Sequence, residues 1–214
     1  MSITTLLLGE SGTGKTASLR NLKPEDTLLI QVVKKPLSFR SKNWTYFNKE
    51  TNPTGNIFVT DNSAQIINIA GKTKRKIIVI DDFQYLLANE FMRRSDERGF
   101  DKFTEIGKSA WNVMNAVNAL SDDVTVYIPW HTETTDQGKT KAKTIGKLLD
   151  DKITVEGLFT IVMRTQVDNG EYFFRTKNSG SDTVKTPMGL FEQDLIDNDL
   201  AVIDAKIREY YGIN

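Results

Sequence analysis

Ile3-Thr-Thr-Leu-Leu-Leu-Gly9-Glu-Ser-Gly-Thr-Gly-Lys-Thr16 joins an apolar run to a glycine-rich turn that closes on Gly14-Lys15-Thr16. The run Ile3 to Leu8 reads as a strand, and the turn reads as opening a helix from about Lys15 to Leu22, stopped by Pro24. A strand, the pattern Gly-x-x-x-x-Gly-Lys-Ser/Thr and a helix, in that order, make a P-loop. Its glycines let the backbone wrap so that successive N–H groups face phosphate oxygens, and the helix N-terminus adds its dipole. Gly9, Glu10, Ser11, Gly12, Thr13, Gly14, Lys15, Thr16 and Ala17 are therefore the predicted nucleotide contacts. Lys15 is expected to reach the β- and γ-phosphates and the Thr16 hydroxyl to ligate Mg²⁺, with ATP as the nucleotide.

The remaining pattern repeats strand and helix. Thr27 to Val33 reads as a buried strand, and Ile57 to Thr60 as a short one after the loop Asn52-Pro53-Thr54-Gly55. Asp61 is expected to cap a helix carrying Ile66, Ile67 and Ala70. Ile77 to Ile80 is a continuous β-branched run, which suits a strand covered on both faces. Phe103, Ile106, Ala110, Val113, Val117 and Leu120 fall at helical spacing and predict a helix over 103–120. Val124 to Ile128 is a further strand, ending at Pro129-Trp130-His131, and 132–147 reads as a polar loop. Strands at about 158–165 and 171–176 form a late hairpin around Asn169-Gly170, and a helix over Leu200 to Tyr211 closes the chain. The expectation is one α/β domain over residues 1–214, a mainly parallel sheet with helices on both faces.

Composition narrows the function classes. The 214 residues suffice for a large core, and 28 basic against 28 acidic residues leave no net charge. Any nucleic-acid contact must then come from a local patch. There is no cysteine, which excludes disulfides, thiolate metal sites and cysteine nucleophiles, and one histidine excludes a histidine-built metal cluster. No apolar stretch is long enough to span a bilayer, and the first residues lack the basic leader of a signal peptide. A cytoplasmic protein is expected.

Four further features carry chemistry. The run Ile77-Ile-Val-Ile-Asp81-Asp82 delivers carboxylates at a strand's C-terminal end, where ligands sit in an open α/β sheet. Asp81 is expected to hold Mg²⁺ opposite Thr16. Asp82 is a candidate to polarise the attacking water, with a helix cap as the plain alternative. His131 ends a strand at the same edge and is a candidate γ-phosphate sensor, against a histidine exposed in a loop. Lys139, Lys141, Lys143 and Lys147 make the following loop basic, though residue chemistry alone favours a solvated loop, since no aromatic residue interrupts it to stack bases. Lys34-Lys35 with Arg40 and Lys42, and the run Lys72 to Lys76, read no more strongly. Trp44, Tyr46 and Phe47 read as core packing before base stacking.

Together, the early P-loop, the Ile77-to-Phe83 strand and a strand ending in His131 resemble the small RecA-like ATPases of bacteriophages. So do Gly146-Lys147-Leu148 through Met163-Arg164, and Phe174-Arg175-Thr176-Lys177 to Lys185-Thr186-Pro187. The resemblance spans most of the chain, from Ile3 to Tyr211. It implies an ATPase acting on single-stranded DNA in phage recombination or replication, in a host cytoplasm. It also implies a homo-oligomer with nucleotide between subunits. Gly9, Gly14, Lys15, Thr16 and Asp81 match its motifs, His131 falls at its γ-phosphate sensor, and 132–147 falls at its mobile DNA-binding loop. That match raises Lys139, Lys141 and Lys143 to candidate DNA contacts. Arg164, Arg175 and Lys177 are candidates for a cation donated to a neighbour's nucleotide.

One departure matters. RecA-like enzymes usually carry a catalytic glutamate just after the second strand, and Gln31-Val32-Val33-Lys34-Lys35-Pro36 holds no acid. Either Asp82 activates water or turnover is slow and the chain is chiefly an ATP-dependent DNA-binding switch. A helicase loader or motor that remodels a protein partner would use the same core. A small-molecule kinase fits less well, because the segment after Ile128 supplies lysines and threonines where an arginine-rich lid would be needed.

Overall fold

Every residue of Thr27–Gln31 and of Ile77–Asp81 is buried, as expected of strands with cover on both faces. They belong to a nine-stranded sheet in a computed structural model that describes residues 1–213. The strands are β1 (Ile3–Gly9), β2 (Thr27–Gln31), β3 (Ile57–Val59), β4 (Ile77–Asp81), β5 (Thr125–Thr134), β6 (Thr140–Ala142), β7 (Ile161–Asp168), β8 (Glu171–Arg175) and β9 (Leu195–Asp197). Their order is β3-β2-β4-β5-β1-β7-β8-β9, with β6 on β5. From β3 to β7 all neighbours are parallel, while β8, β9 and β6 add antiparallel pairs.

Four α-helices accompany the sheet: α1 (Ser63–Lys72), α2 (Gln84–Arg93), α3 (Asp101–Asn118) and α4 (Leu200–Tyr211). Alternate strand residues face opposite ways, so each strand feeds two cores. Leu6, Leu8, Ile30, Ile78, Ile80 and Ile128 pack with Ile66 of α1, Leu86 of α2 and Ala110 and Val113 of α3. Leu7, Leu29, Val79, Tyr127, Ile161 and Met163 face the other way, against Leu19, Leu22 and the α4 residues Leu200, Ile203 and Ile207. The α/β architecture with helices on both faces is therefore as the periodicity predicts. The late hairpin is present too, with Asn169 and Gly170 at φ 49° and 84°, the signs a tight two-residue turn needs.

Several local expectations are corrected. The segment after the glycine-rich turn is a single 3₁₀ turn, Ala17–Asn21, rather than a helix over Lys15 to Leu22. Gly14 at φ 94° stands outside any right-handed helix, the Leu19 N–H closes a 3₁₀ bond on the Thr16 carbonyl at 3.2 Å, and Leu22 is already extended, so the element ends at Asn21. Asn62, not Asp61, caps α1: its side-chain oxygen accepts the Gln65 N–H at 3.0 Å. The Asp61 carboxylate instead accepts from Arg93 and Asn89. Residues 132–147 are not simply a loop. β5 continues to Thr134 and pairs with β6, the β-branched Thr132, Thr134 and Thr140 lying in the ladder. Trp44 is buried, but Tyr46 and Phe47 are about two-fifths exposed, at 41% and 38%. The sequence carries no clear signal for α2 or β9. Among the described residues, no helix is long and apolar enough to cross a membrane.

Candidate functional site

Register brings the chemistry to one edge of the sheet. β1 and β5 pair so that Gly9 lies beside His131, and β2 and β4 pair so that Gln31 lies beside Asp81. β4 and β5 stay paired only as far as Val79 and Tyr127. Beyond that they splay, Asp82 turns to φ 61°, and the Phe83 N–H bonds the Pro129 carbonyl at 3.1 Å. A left-handed conformation at a non-glycine residue is costly, of the order of 1 kcal/mol, and such outliers cluster at functional sites.

The Gly9–Thr16 turn closes tightly on this edge. A Cβ on Gly9 would lie 1.9 Å from the Thr165 hydroxyl of β7, so only glycine lets the chain pass. A Cβ on Gly14 would meet the Tyr172 ring at 2.9 Å. Thr13 donates to the Glu10 carbonyl at 2.7 Å and lies 2.6 Å from the Thr165 hydroxyl. Lys15 is buried and its ammonium donates to the carbonyls of Gly9 and Glu10, at 2.8 and 2.7 Å. Burial brings its pKa down to about 8, with Asp82 and Asp81 opposing.

Beside it, the Thr16 hydroxyl donates to Asp81 at 2.9 Å. Asp81 is 1% exposed, and burial followed by the neighbouring Asp82 charge raises its pKa to about 6. Its other oxygen accepts the Asp82 N–H at 3.0 Å. Asp82 behaves oppositely. Burial favours its neutral form, but His131 and Lys35 outweigh that and hold its carboxyl below the usual range. The Lys35 ammonium forms an ion pair with Oδ2, while His131 Nε2 stands 3.5 Å from Oδ1. Lys35 in turn is raised, burial being outweighed by its bond to Asp82. The Tyr85 ring meets His131 edge-on, with centroids 5.7 Å apart.

These groups border an open cleft of about 490 Å³. Ser11, Gly12, Gly14, Lys15, Thr16 and Ala17 of the turn line it, together with Lys35, Asp82, His131 and Tyr172. Asp82 is the one acid among the described residues that line it, and Asp81 lies behind Thr16. A buried carboxylate facing a hydroxyl is a donor set that suits a hard divalent cation. Among the described residues there is no cluster of three or more acidic or histidine side chains able to hold a metal alone.

Sequence reasoning missed Lys35 and Tyr172. Lys35 lay in a basic stretch with no motif around it, and Tyr172 reaches the turn from β8, across 158 residues of chain. The predicted DNA contacts stand apart. Lys139 and Lys143 are exposed, Lys141 is paired with Asp150 and Glu133, and none of the three lines the cleft. Their hairpin is nevertheless tied to the site, because the Lys143 N–H bonds the His131 carbonyl at 2.8 Å. The candidate trans cations have partners at home: Arg175 with Gln166, Lys177 with Asp194, and Arg164 with Asp182 at 3.8 Å. No known protein family matches the chain, and none of the curated proteins is significantly similar to it.

Proposed function

We propose that the chain is a RecA-like P-loop ATPase that binds ATP·Mg²⁺ in this cleft. The observation that carries the reading is the Thr16 hydroxyl on Asp81 at 2.9 Å, with the Lys15 ammonium held inside the Gly9–Thr16 turn. Those three groups come from two motifs that are 65 residues apart in sequence, and the sheet edge joins them. Lys15 would neutralise the β- and γ-phosphates, and the backbone N–H groups of the turn would cradle them. Mg²⁺ would be held by Thr16, with Asp81 behind it, and would supply charge neutralisation on the phosphates. Asp82 would orient the water and His131 would sit at the terminal phosphate. Single-stranded DNA is the proposed partner, with Lys139, Lys141 and Lys143 on a hairpin tied to His131. The proposed working form is a homo-oligomer in which a neighbour supplies a further cation.

The test is ATP hydrolysis by the purified protein with and without single-stranded DNA. Turnover should rise with DNA and fall at least about 100-fold in Lys15→Ala, the scale of loss when a transition-state charge partner is removed. Hydrolysis that survives in Lys15→Ala would sink the reading. A rate indifferent to DNA would point to remodelling of a protein partner.

One observation favours a second reading, an ATP-dependent DNA-binding switch with little turnover. Asp82, the one acid among the described residues lining the cleft, is paired with Lys35 and has His131 3.5 Å from its other oxygen, and no glutamate follows β2. ATP-dependent DNA binding with negligible hydrolysis would select it.

A further inference from the structure

We propose that Lys35 reads the γ-phosphate: its ammonium leaves Asp82 for the terminal phosphate, and the exchange frees Asp82 to hold water. This rests on the nucleotide reading of the cleft and deepens it, since no motif assigns Lys35 a role. Lys35 lines the same cleft as Lys15, Thr16 and His131. Within its ion pair the lysine side chain is 41% exposed and the aspartate 5%. The lysine is thus the partner with an open side toward an incoming anion, and the acid is the partner that stays put.

The backbone beneath Lys35 is anchored. Gln31, the buried last residue of β2, donates its side-chain amide to the Lys35 carbonyl at 3.0 Å. Gln31 is also the register partner of Asp81, so the Lys35 loop is hung from the same edge as the acid pair. Pro36 follows and biases Lys35 toward an extended backbone. A fixed backbone with a long flexible stem leaves the ammonium free to choose between two nearby anions. Lys35 and Lys15 border the same cleft of about 490 Å³, which gives one polyphosphate access to both.

The choice depends on charge. A terminal phosphate carries more negative charge than a carboxylate and offers several acceptor oxygens, so it competes well for a lysine. Without it, Asp82 has the Lys35 ammonium on one oxygen and His131 3.5 Å from the other, so a water must compete with a cation for the carboxylate. A nucleoside diphosphate would leave that arrangement standing. The chain would then discriminate ATP from ADP through a lysine placed where other RecA-like chains are expected to carry their glutamate.

The experiment is calorimetric titration of the whole chain, in Mg²⁺, with ADP and with a non-hydrolysable ATP analogue. Wild type should bind the analogue about tenfold or more tightly than ADP, the scale of one charge-assisted contact. Lys35→Gln should cut that preference about tenfold and leave ADP affinity within about twofold, while Lys35→Arg restores most of it. Because Lys35→Gln leaves Asp82 short of a partner, Lys35→Gln/Asp82→Asn serves as a second variant without the stranded charge. It too should show the reduced preference and keep ADP. A preference undiminished in both glutamine variants, or a wild type that binds the two nucleotides equally, overturns the role of Lys35. A wild type that binds neither nucleotide overturns the ATPase reading itself.

Discussion

Asp81 and Lys15 are both buried ionisable groups whose charged forms are penalised by that burial. For Asp81 the folded pKa of about 6 lies above its unfolded value of 3.8. The folded protein therefore binds the extra proton between those values, and stability falls as pH rises from about 4 to about 6, then stays level. Asp81→Asn should accordingly make the nucleotide-free protein more stable at pH 7, by about 1–3 kcal/mol in urea unfolding, with the gain gone near pH 4. A variant less stable than wild type at pH 7 would contradict this account of the site. Lys15 runs the other way, its pKa lowered by burial to about 8, so the empty site gains stability as pH rises through that value toward 10.5.

At the scale of elements, small sequence signals decide boundaries. Asn62 and Asp61 are adjacent and chemically similar, yet only Asn62 accepts a backbone N–H of α1. Asn62→Ala should cost about 1 kcal/mol in thermal or urea unfolding, and Asp61→Ala less, since its partner Arg93 is a half-exposed surface residue. Equal costs would return the cap to Asp61. The β5–β6 hairpin was not readable as such from lysines and threonines. Its pairing depends on β5 overrunning the sheet edge, with the Trp130 indole N–H on the Lys143 carbonyl at 2.7 Å. Gly9→Ala should abolish nucleotide binding in the same titration, because its Cβ would overlap the Thr165 hydroxyl and displace the turn.

For the molecule as a whole, a buried polar network fastens the last helix to the middle of the sheet. Asp204 of α4 accepts from Thr125 and Tyr127 of β5, at 2.5 and 2.7 Å, and from Arg208 at 2.7 Å. Burial, with the Asp204 charge beside it, pushes the Tyr127 hydroxyl well above its ordinary pKa, so it remains a donor across the working range. Asp204→Ala should destabilise by about 3–5 kcal/mol, because it strands buried donors, while Tyr127→Phe should cost about 1 kcal/mol. Urea unfolding of the two variants checks the ratio; similar losses would show that the network is not what holds α4.

Strands β1 to β5, β7 and β8, the helix spacing of α3 and α4, the glycine-rich turn and Asp81 were legible because each rests on local periodicity or on a motif a few residues long. Hydrophobic alternation and β-branching suffice to make a buried strand, and glycine positions suffice to mark a turn. The sequence by itself thus determined an α/β chain with a tight glycine-rich turn after its first strand and an acid at the end of a central strand. What only the tertiary structure decided is who meets whom. The splay of β4 from β5 set Asp82 against Lys35 and His131, and β8 delivered Tyr172 to Gly14. Those contacts join segments tens of residues apart, and strand order and register, which no local pattern encodes, bring them together.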